Sequence, residues 1–385
     1  MLPTTADVVI IGGGCMGASI AYHLAQRQAG KIVLLEREKF LAMGSTGRNA
    51  GGVRYQFSTP VNIQLSLYSL DIIARFEELF GVSASYHPIG YLFLLSEPEH
   101  VEHFKQNIAL QQSLGVKWVR FLNIADIAQL IPLVNLEGII GGSICTRDGT
   151  ADPYTVTQTY ATEAKRRGVQ IETETNVVGI ETHGGRVSNV ITGKGKVETR
   201  VVVNCAGPWA SKIGAMVGLD IPIVPLRRQF FNTDEIPEIS RDHPFVIEFS
   251  TSLYFHPDTP GLLVGMSNHH EKPSESYAID EEFHWETLER AIYRLPLLEN
   301  ARVVRQLAGL YEVTPDAHPI FGQSCDIPGF YICAGFSGHG FQHSPGAGKV
   351  MSEIILDGAP KTVDVSMLDL ERFRDGRPVV EQNVV

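Results

Sequence analysis

The spacing of apolar residues changes twice within the first 40 positions. Asp7 is followed by an unbroken apolar run, Val8-Val-Ile-Ile11, the pattern of a strand buried on both faces. Glycines interrupt at 12–14 and 17. Apolar residues then recur at helical spacing through Ile20, Ala21, Leu24 and Ala25. A second apolar run, Ile32-Val-Leu-Leu35, is closed by Glu36. The pattern predicts strand, glycine turn, helix and strand in close succession. Beyond it, the spacing predicts a helix over 61–80, a strand over 86–95 and a helix over 100–114. Another helix starts at Pro153, a residue suited to a first helical turn, and runs to 167. A strand over 169–178 and a β-meander over 186–199 follow. Residues 201–205 read as a buried strand that enters the turn Ala206-Gly-Pro-Trp209 and then a helix. Between 221 and 307 strand-like runs alternate with turns, and 254–257 with 261–265 read as antiparallel strands. A last strand over 329–335 leads through a glycine-rich turn to a helix over 346–356, with Gly358 just past its end.

Composition narrows the class. The 385 residues are 44% hydrophobic, enough for more than one core. With 32 Lys+Arg against 43 Asp+Glu the net charge is −11, which argues against a broad nucleic-acid face. No apolar stretch approaches the roughly 20 residues that cross a bilayer, so no integral membrane segment is expected. The N-terminal residues lack a basic region and a long apolar run, so they do not read as a signal peptide. The five cysteines are scattered and none forms CxxC, which suits free thiols in a reducing cytoplasm. No metal-ligand spacing is present.

The first unit carries the clearest chemistry. Gly12, Gly14 and Gly17 fit G-x-G-x-x-G between a strand and a helix. Gly12 permits the tight turn, Gly14 lets backbone approach a diphosphate, and Gly17 lets helix and strand pack closely. The helix N-terminus presents free N–H groups to phosphate. Glu36 follows about 20 residues on, where a ribose hydroxyl acceptor belongs. Such a glycine turn can be purely structural; here strand, helix, strand and acid fall in register for a dinucleotide. An acid at 36 disfavours NADP, while FAD and NAD both remain open from this unit alone.

A second small-residue stretch, Gly44-Ser-Thr-Gly-Arg-Asn-Ala-Gly-Gly-Val-Arg54, cannot build a core. It can run along a large planar ligand and touch it with backbone, as a flavin would require; otherwise it is a solvated loop with two arginines. The turn Phe336-Ser-Gly-His-Gly-Phe-Gln342 opens another helix far away in sequence. A helix N-terminus there would favour negative charge on a reduced ring.

Together, the 12–17 glycines with Glu36, the 44–54 stretch, Asn204-Cys-Ala-Gly-Pro-Trp209, Thr314-Pro-Asp316 and Gly335-Phe-Ser-Gly-His-Gly-Phe341 resemble the D-amino-acid oxidase superfamily of FAD enzymes. The nearest likeness is to the β subunits of heteromeric sarcosine oxidase and L-proline dehydrogenase, with glycine oxidase more distant. The resemblance implies an α/β plus α+β protein: a Rossmann-type FAD-binding domain over 1–85, 151–220 and 308–375, a discontinuous antiparallel-sheet substrate domain over 86–150 and 221–307, and a tail, 376–385. It implies that FAD is contacted by Cys15, Met16 and Arg37 beside the fingerprint, by Ser45, Thr46, Arg48, Asn49, Ala50 and Gly51, and by Val177, Ala206, Gly207 and Trp209. Gly338, His339, Gly340, Phe341 and Gln342 would meet the ring's pyrimidine edge.

The implied activity is oxidation of an amino acid or N-alkyl amino acid to the imine by hydride transfer to flavin N5. Arg54 is the expected carboxylate clamp, Tyr254 a substrate contact, and His256 and His339 candidates for tuning amine or flavin. The family's covalent attachment cysteine is Gly309 here, so non-covalent FAD is expected. The lysine that promotes oxygen reduction in sarcosine oxidase is Leu263, which points to a second subunit or an electron carrier as acceptor. A non-catalytic flavoprotein subunit or assembly partner is the alternative, and an NAD-linked dehydrogenase a third reading.

Overall fold

The computed structural model describes residues 2–384. The expected first unit forms as a strand, Val8–Ile11, a helix, Cys15–Gln26, and a strand, Ile32–Leu35. Both strands are buried along their whole length, because they lie at the centre of a sheet covered on both sides. That sheet has six strands in the order Ile320–Gln323, Phe330–Ala334, Val202–Asn204, Val8–Ile11, Ile32–Leu35, Gln170–Glu172. All neighbours are parallel except the first pair. The helices Cys15–Gln26, Pro153–Arg166 and Gly340–Asp357 pack together on one face and share a core with Pro60–Ala74. On the other face lies a three-stranded antiparallel sheet of Val177–His183, Arg186–Thr192 and Gly195–Glu198.

A second sheet of eight strands carries the rest of the architecture. Its order is Val303–Val313, Val224–Thr233, Leu262–Met266, Leu253–Pro257, Phe245–Glu248, Tyr91–Leu95, Gly141–Cys145, Val119–Leu122. It is antiparallel except where Phe245–Glu248 runs beside Tyr91–Leu95. The helices Glu281–Arg294 and Ile124–Leu130 cover one face through Phe283, Ala291 and Ile127. This mixed architecture matches the fold class the motifs imply. The strand Val303–Val313 runs through position 307/308 and so joins the two halves.

Several elements differ from expectation for local reasons. The 86–95 strand is shortened to Tyr91–Leu95, because residues 86–90 turn at Gly90, with φ 83°, to pair His87 with Thr150. The 169–178 strand splits between two sheets at Glu174, whose φ is 51°. The 61–80 helix is two, Pro60–Ala74 and Phe76–Phe80. The last long helix starts at Gly340 rather than 346 and carries Pro345 in its second turn, forfeiting one N–H bond. Glu281–Arg294 was not foreseen as a helix. Its apolar stripe, Phe283, Leu288, Ala291 and Ile292, packs in the core, and Asp280 caps it by accepting from the Phe283 N–H (3.1 Å).

Candidate functional site

The carboxyl ends of the central parallel strands open into one continuous cavity of about 470 Å³, within the range of ligand sites and at the edge where open α/β sheets bind ligands. At one end lies the glycine turn. Gly12 has φ 108°, and a side chain there would strike the Cys205 carbonyl. A side chain at Gly17 would strike the Gly12 carbonyl; Gly17 packs behind the turn and does not line the cavity. Gly14 leads into the helix, whose first N–H, on Cys15, donates to Thr46 Oγ1 (3.1 Å). Glu36 ends the second strand. Its Oε2 accepts from the Gly13 N–H (2.6 Å) and its Oε1 from the Glu38 N–H (2.8 Å). Burial raises the Glu36 carboxyl above its ordinary value, opposed by these two N–H donors.

The 44–54 stretch folds as a short turn of helix, Ser45–Arg48, followed by extended chain along the cavity wall. Ser45, Thr46, Arg48, Asn49 and Ala50 line the cavity. Ser45 Oγ donates to the Leu310 carbonyl (2.6 Å) and Arg48 Nη1 to the Ala308 carbonyl (3.1 Å), tying the stretch to the strand Val303–Val313. Gly51, with φ 71°, packs against the Ala151 carbonyl behind the wall. Met16, Arg37, Val177, Ala206, Gly207 and Trp209 line the same space, with the Arg37 guanidinium 3.6 Å over the Trp209 ring. At the far end stand Gly338, His339, Gly340, Phe341 and Gln342, at the N-terminus of the helix Gly340–Asp357.

Of the residues expected to do chemistry, Arg54, Tyr254 and His339 line the cavity. His256 does not; its ring stacks on Phe245 at 4.3 Å and its Nδ1 lies 2.8 Å from the Pro257 carbonyl. Burial lowers the pKa of both histidines, so each is neutral at pH 7. His339 Nε2 has no partner among the described residues. Arg54 is buried, and its guanidinium donates to the carbonyls of Gln56 and Asn383 while lying 4.0 Å over the Phe57 ring.

Two residues of the cavity, Glu312 and Tyr311, were not singled out as contacts from sequence. Glu312 has one carboxylate oxygen facing the Phe336 N–H (3.3 Å) and the other, Oε2, buried without a partner. Burial pushes its carboxyl up to about 7. Tyr311 packs over Gly338. Of Arg227 and Arg228, the pair that sequence offers as the clamp if Arg54 is not, only Arg228 lines the cavity; it projects from the strand Val224–Thr233.

These features fit a bound flavin dinucleotide. A glycine cradle that a Cβ would fill, a strand-end acid, a second wall of small residues and orphaned polar atoms at Glu312 and His339 all face one elongated space. Burial raises the Cys15 and Cys333 thiols that line it, Cys15 to about 11, so both are protonated.

The model of the DAO family, FAD dependent oxidoreductase, matches residues 7–354. The chain is 32% identical to mitochondrial sarcosine dehydrogenase of Mus musculus over 97% of its own length and 42% of that protein. It is 32% identical to mitochondrial dimethylglycine dehydrogenase of Rattus norvegicus over 96% of its length and 45% of that protein. It therefore spans less than half of these relatives. Among solved structures, L-proline dehydrogenase from P. horikoshii superposes with a TM-score of 0.91 at 32% identity, covering 98% of this chain and 100% of that one.

Proposed function

We propose that this chain, which belongs to the DAO family of FAD-dependent oxidoreductases, oxidises the amine of a small amino acid or N-alkyl amino acid to the imine. One observation carries the reading. The cofactor trough does not end at the Gly338–Gln342 turn but continues into a chamber walled by Tyr91, Phe245, Tyr254 and Tyr311 and supplied with a cation. An NAD site has no need of such a chamber beside the 44–54 wall. The sarcosine, dimethylglycine and proline dehydrogenase names of similar proteins point to the same substrate class.

Bound FAD supplies the two-electron acceptor for the substrate's Cα hydrogen. The chain's own residues do the rest. The Gly12–Gly14 turn and the Cys15–Gln26 helix N-terminus would hold the diphosphate, and Glu36 the adenosine ribose. The Gly340–Asp357 helix points its N-terminus at the ring end of the trough, where its dipole favours negative charge. The aromatic chamber excludes water and orients Cα. Neutral His339, with its unpartnered Nε2, can hydrogen-bond a substrate that binds as the neutral amine, the form whose lone pair assists loss of the hydrogen.

Leu263 is 3% exposed and is not part of the cavity wall, so it brings no charge to the ring. We take the electrons to pass to a carrier or a partner chain rather than to oxygen. Among the described residues no helix is long and apolar enough to cross a membrane. The five unbridged cysteines suit the cytoplasm.

The test is anaerobic mixing of the holoprotein with sarcosine, dimethylglycine, L-proline, glycine and alanine, followed by loss of the flavin absorbance. Bleaching by one of them supports the reading. A flavin bleached by dithionite but by no amino acid would overturn it and favour a non-catalytic subunit.

A further inference from the structure

The two arginines that reach the chamber are not in the same condition. Arg54 is already engaged by the Gln56 and Asn383 carbonyls, by the Phe57 ring, and by a field from Glu381 and Asp148. Both of its terminal nitrogens are tied to the framework. Arg228 is the opposite case. Its Nη1 donates only to the carbonyl of its chain neighbour, Arg227 (3.0 Å). Its Nε is buried without a partner. It makes no salt bridge among the described residues, since Glu271, the acid that acts on it, is paired with Arg227 at 3.1 Å. A buried guanidinium without a counter-ion is costly unless an anion arrives to meet it.

Its surroundings say what kind of anion. The guanidinium lies 5.2 Å from the Tyr311 ring centroid. Tyr254 stands on the strand Leu253–Pro257, on the same face of the sheet. Neither the Tyr254 nor the Tyr311 hydroxyl has a hydrogen bond among the described residues. Burial raises both phenols, so both remain donors at neutral pH. A planar fork flanked by two free O–H donors matches the two oxygens of a carboxylate. The Tyr311 ring also packs over Gly338, which places this group beside the turn at the ring end of the trough.

We propose that Arg228, with the hydroxyls of Tyr254 and Tyr311, receives the carboxylate of the substrate, and that Arg54 is a positioning residue that holds the chamber wall without touching substrate. The proposal rests on the reading that the substrate is an amino acid. It confines the substrate to a compact molecule whose anionic end lies at Arg228 and whose amine lies toward the Gly338–Gln342 turn.

The experiment is equilibrium binding to the holoprotein of two unreactive probes, tetrahydrofuran-2-carboxylate and the uncharged amide of the same acid, read from the flavin spectrum. Arg228→Gln should weaken the carboxylate by about 30-fold or more, the effect of removing one partner of a desolvated charge pair. It should leave the amide within about 2-fold and the FAD content unchanged. Arg228→Lys should recover part of the loss, and Tyr311→Phe and Tyr254→Phe should each weaken the carboxylate alone. If Arg228→Gln proves unable to hold FAD, the two Tyr→Phe variants decide the matter. Undiminished carboxylate binding in Arg228→Gln, or in both Tyr→Phe variants, would overturn the proposal. A loss confined to Arg54→Lys would return the role to Arg54. If the wild-type protein binds neither probe and no amino acid bleaches it, the amino-acid reading itself is at fault.

Discussion

Arg372→Ala is expected to destabilise the protein and free its last segment. The Arg372 and Asp316 side chains are both fully buried. Arg372 Nε lies 2.8 Å from Asp316 Oδ2 and its Nη2 3.0 Å from Oδ1, a two-point pair. The same guanidinium donates to the carbonyls of Leu368, Asp369 and His318. Burial alone would raise the Asp316 carboxyl, but the Arg372 pairing and the Val379 and His318 N–H groups hold it below its ordinary value. Removing the cation leaves a buried carboxylate without its partner, a loss of about 3–5 kcal/mol. At roughly 2.1 cal/mol/K per residue, the unfolding entropy of 385 residues is about 0.8 kcal/mol/K. The melting temperature should therefore fall by about 4–6 °C. Calorimetry of the holoprotein measures the shift. Limited trypsin digestion measures the release, because Arg374 is exposed beside the buried anchor. A variant that melts within 1 °C of wild type and is cut no faster would refute the reasoning. Asp316→Asn in the same chain should restore part of the loss, because the orphaned charge is then gone.

Acid precipitation should leave FAD in a yellow supernatant, because Gly309 offers no thiolate and Cys15 is protonated; a coloured pellet would refute non-covalent binding. Stability should fall as pH rises from about 5 to 8. The Glu312 and Asp148 carboxyls are pushed up to about 7 by burial, so the support they give in protonated form is present below their ordinary values and lost as pH passes 7. Glu312→Gln should flatten its share of that slope, and an unchanged melting profile between pH 5 and 8 would contradict the assignment. Below pH 4 the sign reverses. Burial would raise Glu381, but hydrogen bonds from Ser58 and Asn62 hold it low, so its support is lost as pH falls through that depressed value. Substrate-reduced protein mixed with oxygenated buffer should reoxidise slowly, but rapidly with an artificial dye; fast stoichiometric peroxide would sink the carrier reading.

The cradle was legible because its causes are local. A parallel strand, three glycines and an acid lie within 30 residues of one another, and each is dictated by the turn it occupies. The strand–turn–helix at 330–357 was legible for the same reason, although Pro345 misplaced the helix start. What could not be read depends on distant partners. Nothing in the residues beside Arg54 and Arg228 tells their conditions apart. Only the arrival of the Asn383 carbonyl, over 300 positions away, shows that Arg54 is tied to distant framework while Arg228 donates only to its chain neighbour. Nothing in the sequence marks Glu312, and its buried, unpartnered oxygen depends on the turn at 335–337. The Glu281–Arg294 helix has a legible apolar stripe but sits within a stretch dominated by strand-like runs; its last residue, Arg294, is buried to pair with Glu248 (2.9 Å).

The segment beyond Arg372 runs from one half of the molecule to the other. Glu381 accepts from Ser58, Thr59 and Asn62 beside the helix Pro60–Ala74. Asn383 reaches the helix Pro98–Ser113, where its Oδ1 lies 3.2 Å from both His103 Nε2 and Asn107 Nδ2. Swinging the eight-stranded sheet away from the six-stranded one would have to strip these buried bonds together, so a clamshell motion is the expensive way to admit a ligand. Residues 268–279 form no helix or strand; the Glu271–Arg227 pair anchors them, and exposed groups fasten the remainder to the rim: Glu275 to Trp209 and Lys212, and Arg48 over the Tyr277 ring. Exposed pairs of this kind are each worth about 1 kcal/mol or less and weaken in salt. Traffic into the trough is thus set by the cheapest fastening on its rim, and ionic strength becomes a handle on how fast ligands exchange.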